Sequence, residues 1–194
     1  MSGPTTSASP RSKARAPGPI VWLTGLPSAG KSTLARAVAE QLRGLGRRDV
    51  VVLDSDVLRA ALRPAPGYDE AARDAFYESL ARIAALLAAE GLVVLVPATA
   101  HKRAFRARAR ALAPGRFVEV WLDTDLETCR ARDAKGLYAQ SEHDAASQLP
   151  GAALAYEPPE EAELVVRPGD ADAITRIALE TGRIREGSSP RGAP

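Results

Sequence analysis

Five short apolar runs mark the chain, and each gives way to small or polar residues: "PIVWLTG" (19–25), "DVVVLDSD" (49–56), "LVVLVPA" (92–98), "FVEVWLDT" (117–124) and "ELVVRP" (163–168). Between them the spacing of apolar positions changes. Leu34, Val38 and Leu42 recur at helical intervals within 31–46. Similar patterns predict helices over 69–90, closed by Gly91, and over 101–112, 125–133 and 170–184. Strands made almost wholly of Val and Leu, alternating with helices, imply a parallel sheet covered on both faces. The expectation is one doubly wound α/β domain over 18–185, three layers deep with five strands and no internal repeat. Ligands of such sheets bind beyond the carboxyl ends of the strands. The glycine turn after the first run, "DSD", "PATAHKR" and "DTD" are therefore expected to converge on one cleft.

The turn is "GLPSAGKST", Gly25 to Thr33, and it meets the pattern G-x-x-x-x-G-K-[ST]. Glycines let the backbone wrap closely, so that successive N–H groups face phosphate oxygens at a helix N-terminus. Gly25, Leu26, Pro27, Ser28, Ala29, Gly30, Lys31, Ser32 and Thr33 are the candidate ATP-binding residues. Lys31 is expected to reach the β and γ phosphates and Ser32 to ligate Mg²⁺. The fold expected is thus that of P-loop nucleotide kinases.

Which use of the nucleotide follows depends on what accompanies the loop. No N-K-x-D guanine-reading motif is present, and the second strand does not end in Asp-Glu as in a motor ATPase. It ends instead in Asp54 and Asp56, and a spacing of two sends both side chains to one side if the strand persists. One carboxylate can then orient hydrated Mg²⁺ while the other takes the proton of an attacking hydroxyl. The pair points to a kinase and leaves open which aspartate is the base. Arg59, one turn into the next helix, can hold an anionic group of the acceptor. In "CRARDAKGLY" (129–138), Arg130 and Arg132 can close over the phosphates as part of a lid spanning about 130–150.

Composition narrows the picture further. Across 194 residues, 26 basic side chains face 24 acidic ones, which argues against nucleic acid or a membrane as partner. Cys129 is the single cysteine, which excludes an internal disulfide and fits a reducing cytoplasm. Neither it nor His101 and His143 has metal-ligand spacing. The run "HKRAFRARAR" with Arg116 reads as a solvated helix face, with Arg103 turned to the cleft. Residues 1–17 and 186–194 are rich in Pro, Ser and Gly and read as disordered tails.

Together, "GLPSAGKSTLA", "LDSDVLR", "FVEVWLDTDLETCRARDAKGLY" and "AYEPPEEAELVV" resemble the adenylylsulfate (APS) kinases. The likeness runs from about Pro19 to Val166. It implies transfer of the γ-phosphate of MgATP to the 3′-hydroxyl of APS, giving the activated sulfate donor PAPS, by a homodimeric cytoplasmic enzyme. It further implies catalytic roles for Lys31, Asp54 and Asp56, with Asp54 reaching Mg²⁺ through water, and an ATP contact for Arg132. Acceptor contacts are implied for Arg59, Tyr68, Arg73, Phe76, Arg103, Lys135, Gly136, Leu137 and Leu149. Several of these depart from the family pattern. Tyr68 stands for one adenine-stacking Phe and Leu149 for the other, Phe76 replaces an Asn, Ala100 a Ser and Ala153 an Asp. The alternatives are a paralogue acting on another hydroxyl compound and a regulatory protein that binds ATP without transferring phosphate.

Overall fold

A computed structural model describes residues 15–133, 136–143 and 147–185. Its strands are β1 (Ile20–Thr24), β2 (Val50–Val52), β3 (Val93–Pro97), β4 (Phe117–Leu122) and β5 (Leu164–Val166). The helices are α1 (Lys31–Gly44), α2 (Ser55–Ala61), α3 (Glu70–Ala89), α4 (Arg103–Ala111), α5 (Leu126–Arg132), α6 (Leu137–His143) and α7 (Ala173–Arg185). All the strand pairings are parallel, in the order β2-β3-β1-β4-β5. The expected sheet and its alternation with helices are therefore present.

Alternation along the strands divides the core in two. Ile20, Trp22, Val94 and Val96 belong to a buried cluster with Leu80 and Ala84 of α3 and Phe105 of α4. Val21, Leu23, Leu95 and Val120 belong to the other, with Val38 and Leu42 of α1 and Ile177 of α7. Full burial of each large aliphatic side chain contributes about 1.5–3 kcal/mol relative to exposure. This explains why the central strands read as unbroken apolar runs. Helices cover both faces, and the ends of the strands are left for chemistry.

Two expectations need correction. The second strand does not persist to Asp56: it stops at Val52, and Asp54 caps α2 by accepting a 3.0 Å hydrogen bond from the Asp56 N–H. A carboxylate at an N-cap satisfies an orphan helix donor, and that local bond competes successfully with strand extension. The basic run in α4 is not simply a solvated face either. Arg106 is 2 % exposed, pairs with Glu119 of β4 at 2.6 Å, and donates to the carbonyls of Ala100 and Glu157. Arg110 joins Glu119 to Glu163 at the start of β5. This network ties the segment "YEPPE" to the end of β3.

The chain is anchored from its first described residues, since the Pro17 carbonyl accepts from Arg116 and the Gly18 N–H donates to Ala88. Of the tails expected over 1–17 and 186–194, residues 1–14 and 186–194 lie outside the described residues. Among the described residues, no helix is long and apolar enough to cross a membrane.

Candidate active site

The loop after β1 is built by backbone conformation. Gly25 has φ +149°, and a Cβ there would come within 2.8 Å of the Leu122 carbonyl oxygen. Gly30 has φ +98° at the N-cap of α1, again a conformation that L side chains avoid. Ser28 adopts φ +62° without being glycine. The turn ends on α1, whose first-turn N–H groups lack intrahelical partners and carry the positive end of the helix dipole. The Lys31 ammonium donates to the Gly25 and Leu26 carbonyls at 2.9 and 2.7 Å. It lies folded along the loop.

A cleft of about 1620 Å³ opens over this loop. Pro27 to Leu34 line it, Ser55, Asp56 and Arg59 come from α2, Pro97 ends β3 and Thr99 follows it. Tyr68, Asp69, Arg73, Phe76 and Tyr77 also line it, as do Gln148 and Leu149. The arginine carbon Cζ of Arg59 sits 3.8 Å from the Phe76 ring centroid and 4.6 Å from that of Tyr68. Its Nη1 donates to the Pro66 and Gly67 carbonyls. Arg73 is buried and donates to the Tyr68 and Gln148 carbonyls at 2.6 and 2.7 Å, and burial depresses its pKa. Both arginines are thus held in place by backbone oxygens, which leaves a rigid, electropositive and aromatic wall.

Behind the cleft, the buried Thr24 hydroxyl donates to the Thr99 carbonyl and lies 3.0 Å from the Tyr156 hydroxyl. The Ala100 N–H donates to the Tyr77 hydroxyl. These bonds fix the end of β3 against β1, so the loop carrying Thr99 is set by the side chains of Thr24 and Tyr77, with Tyr156 behind Thr24.

The adenylylsulphate kinase family model matches residues 17–167. The chain belongs to the adenylylsulphate kinase family. It is 40% identical over 160 residues to an adenylyl-sulfate kinase of Burkholderia ambifaria, covering 82% of this chain and 88% of that one. A Synechococcus adenylyl-sulfate kinase is 40% identical over 168 residues, covering 87% and 94% respectively. Among solved structures, the APS kinase of Mycobacterium tuberculosis in complex with AMPPNP and APS superposes with TM-score 0.77 at 35% identity, covering 88% of this chain and 99% of that one.

For this member of the APS kinase family, the structure gathers many of the expected residues in one place. Loop residues Pro27 to Thr33, Asp56, Arg59, Tyr68, Arg73, Phe76, Arg132, Leu137 and Leu149 all line the cleft. Gly25 and Leu26 lie directly beneath it, bonded to Lys31. Asp54 is not among the lining residues. It is buried as the α2 cap, with one carboxylate oxygen 3.7 Å from Arg36. Arg103 also lies off the cleft, held by Glu160 and by the Pro158 carbonyl at 2.8 Å. Gly136 precedes α6 with φ +65°, and Lys135 lies outside the described residues. "DTD" does not face the cleft: Asp125 caps α5 and Asp123 pairs with Arg167. Cys129 is buried, and burial pushes its thiol pKa up, consistent with a core role.

Sequence reasoning did not name several contributors, Asp69 and Tyr77 of the cleft wall among them. The end of β5 and the turn after it, Val166 to Ala171, line the cleft, as do Gln140 and Ser141 of α6 and Gln148. In the sequence, "RPGD" looks like an ordinary turn before a helix. Only the strand order brings it beside α1. The topological rule for strand ends could have found it had it been applied to the fifth strand as to the first four.

Proposed function

We propose that this protein transfers the γ-phosphate of ATP to the 3′-hydroxyl of adenosine 5′-phosphosulfate, giving PAPS and ADP. The observation that carries this reading is the single cleft joining the phosphate loop, Asp56 and the Arg59–Tyr68–Arg73 wall. The likeness to a kinase solved with AMPPNP and APS supports it.

The residues have separable duties in this proposal. Main-chain N–H groups of the loop and α1 hold the phosphates, and Lys31 exchanges its two carbonyl partners for phosphate oxygens. Asp56 accepts the proton of the acceptor hydroxyl as that oxygen bonds to the γ-phosphorus and the bond to the β–γ bridging oxygen breaks. Asp56 takes this role because it lines the cleft while Asp54 is committed to the cap. Arg132 faces the same space from α5 and would balance phosphate charge. Arg59 and Arg73 would meet the anionic part of APS, and Tyr68 offers a face to its purine.

The donors present suit Mg²⁺. Among the described residues no cluster of three or more His, Cys, Asp or Glu could hold a metal ion. Mg²⁺ typically uses one or two protein oxygens beside substrate phosphates and water. Ser32 would hold it, and its charge would offset that of the phosphates; Asp54, which does not line the cleft, is not assigned the water-mediated contact expected for it. The homodimer implied by the resemblance belongs to the same proposal, and light scattering on the purified chain tests it.

A steady-state assay with MgATP and APS tests the function. Saturable PAPS formation is expected. Phe76 and Leu149 give the acceptor wall an apolar surface, which favours, as a second reading, a different alcohol. APS inert beside turnover of that alcohol would establish it, and ATP binding with no turnover of any acceptor would point to a regulatory protein.

A further inference from the structure

Tyr138 of α6 is buried, and its hydroxyl donates to the Pro27 carbonyl of the phosphate loop at 3.2 Å. The ring belongs to the same core cluster as Ala29 and Cys129, while its neighbours Leu137 and Gln140 line the cleft. Asp133 fixes its position from the other side, accepting from the N–H groups of Tyr138 and Ala139 at 3.2 and 3.0 Å. Burial pushes the Tyr138 hydroxyl up to about 12, so it remains a donor throughout the neutral range.

The bonded carbonyl has a partner group on the same peptide. The Pro27–Ser28 bond is trans, and in a planar trans peptide the C=O and N–H point in opposite directions. With the Pro27 oxygen drawn back to Tyr138 in the core, the Ser28 N–H is directed toward the cleft that Ser28 lines. Ser28 is also the loop residue held at φ +62°, a conformation that L residues disfavour by roughly 1–2 kcal/mol. A peptide beside such a residue needs an anchor. The carbonyls of Gly25 and Leu26 are anchored by Lys31, which the phosphates would recruit. The Tyr138 bond is independent of that exchange.

We propose that Tyr138 is a positioning residue for the nucleotide: by holding the Pro27 carbonyl from behind, it aims the Ser28 N–H at a phosphate oxygen of ATP. This rests on reading the loop as the ATP site.

Tyr138→Phe removes one oxygen and keeps the ring. Calorimetric titration with MgAMPPNP should give binding about five- to tenfold weaker, the loss of one hydrogen bond. The KM for ATP should rise by a similar factor with the KM for APS unchanged. A merely structural loosening would raise both. Wild-type affinity in Y138F, or an equal rise in both KM values, overturns the inference alone. Wild-type protein that fails to bind AMPPNP overturns the kinase reading and this inference together. Should Y138F not fold, nitrogen-15 spectra of the wild type decide. The Ser28 amide should show one of the largest shifts on adding MgAMPPNP, and an unmoved Ser28 amide overturns the assignment.

Discussion

Arg59 lies over the ring of Phe76, its Cζ 3.8 Å from the centroid, where the resemblance implied an asparagine. A guanidinium over an aromatic face gains roughly 0.5–2 kcal/mol, depending on how dry the site is. The stack therefore decides which way the guanidinium edge points in the acceptor half. Phe76→Leu keeps an apolar side chain but removes the face. We expect the KM for APS to rise about fivefold, equivalent to about 1 kcal/mol, while the KM for ATP stays put. An acceptor KM indistinguishable from wild type would show that the stack has no part in recognition.

The two aspartates should separate cleanly. Asp54→Ala deletes the α2 cap and should lower stability by about 1 kcal/mol in urea unfolding. Asp56→Asn should leave the unfolding midpoint nearly unchanged and reduce turnover about 10²–10⁴-fold, the range for loss of a general base. The reverse pattern would reassign the base to Asp54.

On the proposed reading, Lys31→Ala should abolish most transfer, by about 10²–10³-fold, because the charge that would meet the migrating phosphoryl group is gone. Its circular dichroism should match wild type, since the lysine contributes to the loop and not to either core cluster. Near-normal turnover in this variant would refute the loop's assignment.

His101 predicts a pH dependence of stability. It is 4 % exposed, its Nδ1 has no hydrogen-bond partner, and its pKa is lowered to about 4. Burial is the main cause, with Arg73, Lys102 and Arg106 adding to it and Glu157 opposing. The unfolded chain, with a value near 6.5, binds more protons between those two values. Stability should therefore be constant above about pH 6.5 and fall as acid is added through that window, by about 3 kcal/mol in all. His101→Leu should flatten the slope between pH 6.5 and 4.5. Parallel urea midpoints for the two proteins across that range would contradict this.

The Arg106–Glu119 pair is buried on both sides. Glu119→Gln leaves a buried guanidinium without its counter-charge and should cost about 3–5 kcal/mol in urea unfolding. Replacing both residues with apolar ones should recover much of the loss. A single variant as stable as wild type would mean that Arg110 or Glu163 has compensated.

Local chemistry is legible in the sequence. Leu34, Val38 and Leu42 announce α1, the Val-rich runs announce a buried parallel sheet, and Gly25 and Gly30 announce a turn that only glycine tolerates. Each depends on neighbours within a few residues, so sequence spacing is enough to specify it. The resemblance groups Arg59, Tyr68, Arg73, Phe76 and Arg103 at one site; the first four share a wall of the cleft, and Arg103 lies off it. What spacing could not reveal were contacts between residues far apart in the chain. One local feature also escaped the spacing argument: Asp54 caps α2 through a 3.0 Å bond from Asp56 two residues on, while Asp56 lines the cleft. That Arg106 is buried rather than solvated depended on Glu119, thirteen residues on. The turn after β5 entered the cleft, and Tyr138 reached Pro27 across 111 residues, through strand order and packing. Periodicity records which face of an element is apolar, whereas the partner that meets each polar group is chosen only when the layers close.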